Sequence, residues 1–111
     1  MEVVRMSQEA LDQIKRDVES NKILIYMKGT PQAPQCGFSA ATVELFKGFK
    51  VPFATRDVIA HPEFRQLVPE FSNWPTFPQV FINGKLVGGC DIVHEMHERG
   101  ELEPLIKEAL K

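Results

Sequence analysis

The chain has 111 residues, 43% of them hydrophobic and 25% charged, with a formal net charge of −2 and a pI near 5.9. These values are ordinary for a single soluble globular domain over residues 1–111. Without a dense Lys/Arg stripe or a long apolar run, the sequence excludes nucleic acid and membrane as partners. The start of the chain does not resemble a secretory signal, and two cysteines are too few for a disulfide framework, so we expect a cytoplasmic protein.

The first half of the chain predicts a helix, a buried strand and a second helix. Ser7 is a plausible N-cap for the first helix, which carries an apolar face at helical spacing. The apolar run 23–27 predicts the strand, and a loop rich in Gly and Pro follows it. This loop delivers Cys36 to the start of an amphipathic helix near 37–48.

The second half predicts a strand, a helix, a β-hairpin and two final helices. The strand covers 51–58, and His61-Pro62 is typical of a helix start. Two short apolar runs separated by Asn83-Gly84 predict a tight hairpin. Gly88-Gly89-Cys90-Asp91 then leads into a helix that Gly100 separates from the last one.

This order of elements, α-β-α-β-α-β-β-α-α, predicts an α/β domain. One parallel strand–helix–strand unit joined to an antiparallel hairpin gives a small mixed sheet of four strands, with helices on both faces. Loops that follow the strands then gather at one edge of the sheet, where ligands usually bind, and the loop before Cys36 is one of them.

The motif Cys36-Gly37-Phe38-Ser39 is the most informative part of the sequence. A sulfur at a helix start lies near the positive end of the helix dipole, and Lys28 is expected close by. Both favour the thiolate, which is the form that attacks disulfides and binds metals. Because Ser39 stands where a second cysteine would close an internal disulfide, Cys36 must find its partner sulfur on another molecule.

Four motifs follow one another through the chain with suitable spacing. They are Lys28-Gly29-Thr30-Pro31, Cys36-Gly37-Phe38-Ser39, Trp74-Pro75-Thr76-Phe77-Pro78-Gln79 and Gly88-Gly89-Cys90-Asp91. Together they resemble the CGFS-type monothiol glutaredoxins of the bacterial single-domain type, from about residue 8 to the C-terminus. The resemblance implies a thioredoxin fold, glutathione binding and, in many members, a [2Fe-2S] cluster between two subunits.

The same resemblance implies how such a cluster would be held and with which partners. Cys36 from each of two chains and two glutathione thiols would supply the ligands, so the cluster-bound form is a homodimer and the apo form a monomer. BolA-like proteins and apo iron–sulfur proteins are the implied protein partners.

The glutathione site is also implied by the resemblance, residue by residue. Lys28 and Arg65 would hold the glycyl carboxylate, although solvated surface charges are the simpler interpretation of both. The Phe77–Pro78 peptide bond would be cis, which presents the Phe77 backbone to the cysteinyl part of glutathione. Trp74 is either core or a wall of the groove.

Cys90 and Asp91, at the start of the fourth helix, would complete that site. Their N–H groups would receive the γ-glutamyl carboxylate while the Asp91 carboxylate meets the ammonium group, and Asp91 could also be the helix N-cap. The Cys90 thiol has three interpretations: a packed thiol, an occasional disulfide partner of Cys36, or an alternative cluster ligand. We favour the packed thiol, because glutathione offers a ligand without distorting the helix start.

His94 and His97 lie three residues apart on one helix face, close enough to share a metal. Zinc usually needs more ligands, so a solvated face, or a contact of His94 with a partner protein, is the simpler interpretation. His61 is best explained as part of a helix entry.

Two functions use the same thiolate. The leading hypothesis is a carrier of a glutathione-ligated [2Fe-2S] cluster, for cluster transfer or iron homeostasis. The alternative is a glutathione-dependent thiol–disulfide oxidoreductase, in which Cys36 attacks glutathione mixed disulfides. The long, proline-containing loop before Cys36 is associated in the resembling family with weak reductase activity, so we expect mainly a cluster carrier.

Overall fold

The computed structural model describes the backbone of residues 2–111 and the side chains of residues 8–111. Within this range the elements are α1 (Glu2–Ser20), β1 (Ile23–Met27), α2 (Gly37–Gly48), β2 (Ala54–Asp57), α3 (Pro62–Ser72), β3 (Gln79–Ile82), β4 (Lys85–Gly88), α4 (Cys90–Glu98) and α5 (Leu102–Ala109). Their order is the predicted one. No helix in the described residues combines the length and the hydropathy needed to cross a membrane.

The strands form one mixed sheet in the order β2-β1-β3-β4. β1 pairs in parallel with β2 and antiparallel with β3, and β3 pairs antiparallel with β4. The predicted α/β architecture with a four-stranded mixed sheet is therefore confirmed. β1 lies second in this order, so it is hydrogen-bonded on both sides and buried along its whole length.

Alternate residues of β1 face two separate layers of helices. Ile23, Ile25 and Met27 belong to the core cluster that α2, α4 and α5 cover. Leu24 and Tyr26 belong to the cluster that α1 and α3 cover. Burying each of these side chains stabilises the fold by roughly 1.5–3 kcal/mol, so β1 is a rigid base for the loop that follows it.

The pairing of the strands brings three connectors to the same edge of the sheet. Tyr26, near the end of β1, pairs with Gln79 at the start of β3, and Val80 pairs with Gly88 at the end of β4. The loop after β1, the segment before β3 and the segment after β4 therefore meet. These are the segments that carry the four sequence motifs.

Two predicted boundaries are wrong. α1 begins at Glu2, so Ser7 lies inside the helix and is not its N-cap; no glycine or proline between them interrupts helical backbone. β2 covers only Ala54–Asp57 instead of 51–58. Pro52 has no N–H to donate to a neighbouring strand, which explains why regular pairing starts after it.

The hairpin between β3 and β4 has the predicted turn. Asn83 and Gly84 have φ angles of 53° and 81°, and positive φ at both central residues is the requirement of a type I′ turn. Gly100, with φ of 74°, separates α4 from α5 as expected.

Candidate functional site

The loop between β1 and α2 is folded as a small hairpin of its own. The Gln35 N–H donates to the Lys28 carbonyl at 2.9 Å, and Thr30 and Ala33 exchange backbone hydrogen bonds of 3.1 and 3.3 Å. Gly29 has φ of +94°, and a Cβ there would lie 2.6 Å from the Ala33 oxygen. This position therefore requires glycine, and the loop reaches the cysteine at its end along one defined path.

Asp57, at the end of β2, anchors the same loop from outside. Its Oδ1 atom accepts hydrogen bonds from the N–H groups of Gly29 at 3.0 Å, Ile59 at 2.9 Å and Ala60 at 3.3 Å. Burial raises the pKa of Asp57, but the backbone donors outweigh burial and hold that pKa below its usual range. The role of Asp57 is not predicted from the sequence, although its place at the end of a strand parallel to β1 is an available signal.

Ser39 is a second anchor that the sequence analysis missed. Its side chain is fully buried, and its Oγ accepts a hydrogen bond of 3.1 Å from the Lys28 N–H. From the sequence alone, Ser39 is only the residue that cannot form a disulfide. In the folded chain its hydroxyl joins the end of β1 to the first turn of α2.

Cys36 occupies the N-cap position of α2, with extended backbone at φ of −152° and ψ of 133°. The interaction of its sulfur with the Ser39 N–H lowers the pKa of the thiol most; partial burial opposes it, and the Phe38 N–H, the Ser39 hydroxyl and the Lys28 charge add to the lowering. The net result is a pKa below the ordinary cysteine value. The sulfur makes no conventional capping hydrogen bond within the described residues, so the N–H dipoles act on it without a short, linear contact.

A cavity of about 570 Å³ opens beside this sulfur. All seven residues predicted for the site line it, namely Lys28, Cys36, Arg65, Phe77, Pro78, Cys90 and Asp91. The structure thus brings together residues from the loop before α2, from α3, from the segment before β3 and from the start of α4. The lining also includes residues that were not assigned, among them Phe38, Thr76 and Ile92.

Charged side chains of both signs line this cavity. Lys28 is half-buried and Arg65 exposed, and both are cations, whereas Asp91 is an exposed acid. Gly89, not Asp91, is the N-cap of α4, and no described side chain caps this helix start. The N–H groups of Cys90 and Asp91 are therefore without intrahelical partners, as the first donors of any helix are, and can serve an anion.

The segment before β3 forms one wall of the cavity. The Phe77–Pro78 peptide bond is cis, as the resemblance implies. Gln79 donates a side-chain hydrogen bond of 2.7 Å to the Trp74 carbonyl, which ties this segment to the sheet. Trp74 is half-buried and lines the cavity, so it is a wall of the groove. A Cβ at Gly89 would lie 3.2 Å from the Pro78 oxygen, so α4 begins in close contact with this wall.

Cys36 also lines a second, more open cavity of about 520 Å³ on the side of α2 and α4. Its lining consists of Cys36, Gly37, Phe38, Ala41, Cys90, Asp91 and His94. Phe38 is 61% exposed here, which is unusual for a phenylalanine. The Cys36 sulfur therefore lies between a charged cavity and a largely apolar one.

The histidines of α4 do not face a common point. His94 Nδ1 lies 2.8 Å from the Cys90 carbonyl oxygen and 3.5 Å from the Cys90 sulfur. His97 instead packs edge-on against Phe49, with ring centroids 5.3 Å apart. The two rings therefore have different partners, and no group of three ligating side chains is found among residues 8–111. His61 is the N-cap residue of α3, in agreement with its predicted place at a helix entry.

Comparison with known proteins places this geometry in a family. The glutaredoxin family model matches residues 23–87. Glutaredoxin 4 of Pasteurella multocida (strain Pm70) is 53% identical over 88% of this chain and 90% of its own length. The reduced apo form of poplar GrxS14 is 40% identical with a TM-score of 0.77, covering 93% of this chain and 92% of its own. The buckwheat glutaredoxin–glutathione complex is 27% identical with a TM-score of 0.84, covering 95% and 94%. The thioredoxin fold expected from the sequence motifs is thereby confirmed.

Proposed function

The chain belongs to the glutaredoxin family, with a monothiol Cys36-Gly37-Phe38-Ser39 motif, and from this premise we propose that it binds glutathione beside Cys36 and carries a [2Fe-2S] cluster with it. The observation that carries the proposal is the meeting of a low-pKa thiol with a charge-complementary cavity in which all seven predicted residues take part.

Glutathione fits the chemistry of the charged cavity. The tripeptide has two carboxylates, one ammonium group and one thiol. Lys28 and Arg65 offer charge to the glycyl carboxylate, the free N–H groups at the start of α4 offer donors to the γ-glutamyl carboxylate, and Asp91 offers an acceptor to the ammonium group. The thiol is thereby directed toward Cys36, which lines the same cavity.

An NMR titration of the apo protein with reduced glutathione tests this part. We expect saturable shifts at the cavity, and weaker binding by about threefold to tenfold in Lys28→Gln and Arg65→Gln, because each removes one partly exposed charge contact. Lys47→Gln, an exposed lysine at the other end of α2, is the matched control. Glutathione binding that is unchanged in both cavity variants would contradict the assignment.

The ligand requirement of an iron–sulfur cluster supports a dimer. Such clusters generally need four ligands, mostly thiolates. Cys36 is the thiol that the helix start favours as thiolate, and no ready-made group of three ligating side chains exists among residues 8–111. Cys36 and one glutathione from each of two chains would complete the set. When bound, the cluster supplies the iron and sulfide that the protein passes to apo iron–sulfur proteins, and a BolA-like protein is the proposed regulatory partner.

Anaerobic reconstitution with ferrous iron, sulfide and glutathione tests the cluster, read by visible absorption and by size-exclusion chromatography. We expect a coloured dimer that forms only with glutathione present, from a colourless monomeric apo protein. A colourless monomer under all these conditions would contradict the proposal and would favour the second function below.

The second candidate is thiol–disulfide exchange with glutathione mixed disulfides, which the open cavity beside Cys36 supports because it leaves the sulfur accessible from a second side. The Cys36 thiolate would attack the glutathione sulfur, the mixed disulfide bond would break, and the protein substrate would leave as a thiolate. A second glutathione thiolate would then attack the Cys36–glutathione disulfide, releasing oxidised glutathione and restoring Cys36. Ser39 cannot take this resolving role, so the exchange depends on free glutathione.

A further inference from the structure

Gln79 is a fully buried polar residue on a strand inside the sheet. It is the first residue of β3, where it pairs with Tyr26 of β1. Its Nε2 atom donates a hydrogen bond of 2.7 Å to the Trp74 carbonyl, five residues earlier. The Trp74 N–H in turn donates to the Pro69 carbonyl at 3.3 Å. Both sides of Trp74 are therefore fixed, one to the end of α3 and the other to the sheet.

The hydrogen bond from Gln79 closes a loop that lines the charged cavity. Residues 74–78 all contribute to the lining of that cavity, whereas Gln79 itself does not. The backbone of residues 75–78 makes no hydrogen bond within the described part of the chain. Thr76 and Phe77 thus keep their backbone N–H and C=O groups open to a ligand, and the path of the loop depends on how its two ends are held.

Glutamine offers this position something that an apolar side chain cannot. The Gln79 Oε1 atom is buried and receives no hydrogen bond from the described residues. Methionine has the same length and would leave no buried acceptor to satisfy. What glutamine adds is the N–H that holds the Trp74 carbonyl, which can only accept a hydrogen bond.

Trp74 extends this fixed arrangement to a second side of the cavity. A Cβ at Gly89 would lie 3.5 Å from Trp74 Nε1, which is ordinary van der Waals distance, so the indole lies against the start of α4. That helix start carries the N–H groups of Cys90 and Asp91, the proposed donors to the γ-glutamyl carboxylate. The carbonyl that Gln79 holds belongs to the residue that contacts this helix start.

We propose that Gln79 is a positioning residue for glutathione binding, acting through its hydrogen bond to the Trp74 carbonyl. This bond keeps the open backbone of Thr76 and Phe77 and the indole of Trp74 in the arrangement that receives the ligand. The inference rests on the proposed glutathione site and adds to it a residue that does not line the cavity. A loop that is already held in its bound arrangement loses less conformational freedom on binding, and this raises affinity.

The glutathione affinity of Gln79→Met, measured by NMR titration, tests the proposal. We expect binding about threefold to tenfold weaker than in the parent, because the loop then has to be ordered when the ligand binds. Gln13→Met is the matched control. It removes an amide hydrogen bond of 2.9 Å to Asp17 from a residue that does not line the cavity, and it should bind glutathione as the parent does.

A second ligand separates positioning of the loop from loss of a charge contact. Glutathione monoethyl ester has a neutral group in place of the glycyl carboxylate. Gln79→Met should weaken binding of the ester by the same factor as binding of glutathione. The effect of Lys28→Gln should disappear with the ester, because the charge that Lys28 is proposed to meet is then absent.

The fluorescence of Trp74 gives a readout of the loop that does not depend on the ligand. Trp74 is the only tryptophan in the sequence, so the emission reports on this wall directly. We expect acrylamide to quench it more strongly in free Gln79→Met than in the free parent, and equally in Gln13→Met and the parent. A loss of stability elsewhere in the fold would not produce this pattern.

Unchanged glutathione affinity or unchanged Trp74 quenching in Gln79→Met would overturn the proposal. An effect that vanishes with the ester, or an equal effect in Gln13→Met, would overturn it as well. Absence of binding by the parent would overturn the glutathione site too, whereas a parent that binds and a variant that binds equally well would remove only the role of Gln79. If Gln79→Met does not fold, Gln79→Asn, whose amide is one methylene shorter, provides the same test.

Discussion

Two helix starts in this protein each present a cysteine to the same pair of cavities, but their sulfurs have different surroundings. Cys36 is the N-cap of α2, whereas Cys90 is the first residue inside α4, after the N-cap Gly89. An N-cap side chain lies opposite the free N–H groups of the first turn, and a residue inside the helix does not. The N-cap position brings the Cys36 sulfur near the free N–H groups of its helix. The Cys90 sulfur lies one position further into its own helix and instead contacts the His94 imidazole.

The backbone segments that lead to the two cysteines also differ. The loop before Cys36 has its own hydrogen bonds and is anchored by the side chains of Asp57 and Ser39. No side-chain hydrogen bond caps either helix start, but the cap residue of α2 carries the Cys36 sulfur, whereas the cap residue of α4 is Gly89, which has no side chain. The comparison indicates that a fixed loop path positions the Cys36 sulfur, while the glycine cap of α4 leaves the first N–H groups of that helix without a side-chain partner.

Replacing the Cys36 sulfur by oxygen should have the largest effect of all, whereas the same replacement at Cys90 should have little effect. Cys36→Ser is expected to reduce both glutathione-dependent exchange and cluster assembly to the level measured without protein, because no other chain thiol has the N-cap position. Cys90→Ser should retain most of the visible cluster absorption, since the proposed contact uses the Cys90 backbone N–H. Reconstitution of both variants side by side checks this. Loss of the absorption in Cys90→Ser would make Cys90 a cluster ligand and would end the contrast between the two helix starts.

The rigidity of the first helix start can be broken at Gly29. We expect Gly29→Ala to lower the free energy of unfolding by about 2 kcal/mol or more, because the residue has φ of +94° and the new Cβ would meet backbone 2.6 Å away. Urea denaturation followed by circular dichroism measures it. Gly48→Ala is the control: it lies in α2 with open space around it, and should be neutral or stabilising by about 0.5–1 kcal/mol. Equal effects of the two variants would show that the loop has no fixed path.

Ser39→Ala should affect Cys36 and leave Cys90 unchanged, with a smaller loss of stability than Gly29→Ala. The Lys28 N–H would lose its buried acceptor, which costs about 1–2 kcal/mol, and the pKa of Cys36 should rise because the Ser39 hydroxyl no longer assists its thiolate. The rise is expected to be modest, since the Ser39 N–H, the larger cause, remains. Alkylation rates at a series of pH values, measured for each cysteine by mass spectrometry, should shift to higher pH for Cys36 only. An unchanged pH dependence of Cys36 alkylation would show that the Ser39 hydroxyl does not lower the pKa of the Cys36 thiol.

Asp57→Asn should produce the smallest effect, and one that depends on pH. Because the pKa of Asp57 is lowered in the folded protein, its stabilising contribution is present above the ordinary aspartate value of about 3.9 and is lost as pH falls through the lower folded-state value. The variant should be less stable than the parent by below about 1 kcal/mol near neutral pH, and the difference should shrink in acid. Thermal unfolding at several pH values checks the sign. A stability difference between Asp57→Asn and the parent that grows as the pH falls would contradict this expectation.

Much of the fold could be predicted because its signals are local. The apolar run of β1, the Asn83-Gly84 turn and the proline at the start of α3 each act on the backbone within a few residues. The position of Cys36 at a helix start is also a local signal, because the loop before it and the helix after it adjoin it in sequence. Boundaries that depend on pairing with a distant strand, as at β2, were less accurate.

The sequence by itself therefore determined the order of elements, the place of Cys36 at a helix start and the family motifs, because each depends on residues that are neighbours along the chain. Only the tertiary structure decided that Asp57 and Ser39 hold the loop before Cys36, that Gly89 rather than Asp91 caps α4, and that His94 shares a cavity with Cys36. Apart from the cap of α4, which is local, these relations join residues 11 or more positions apart, and they arise only when burial of the two apolar clusters on β1 has fixed the helices against the sheet.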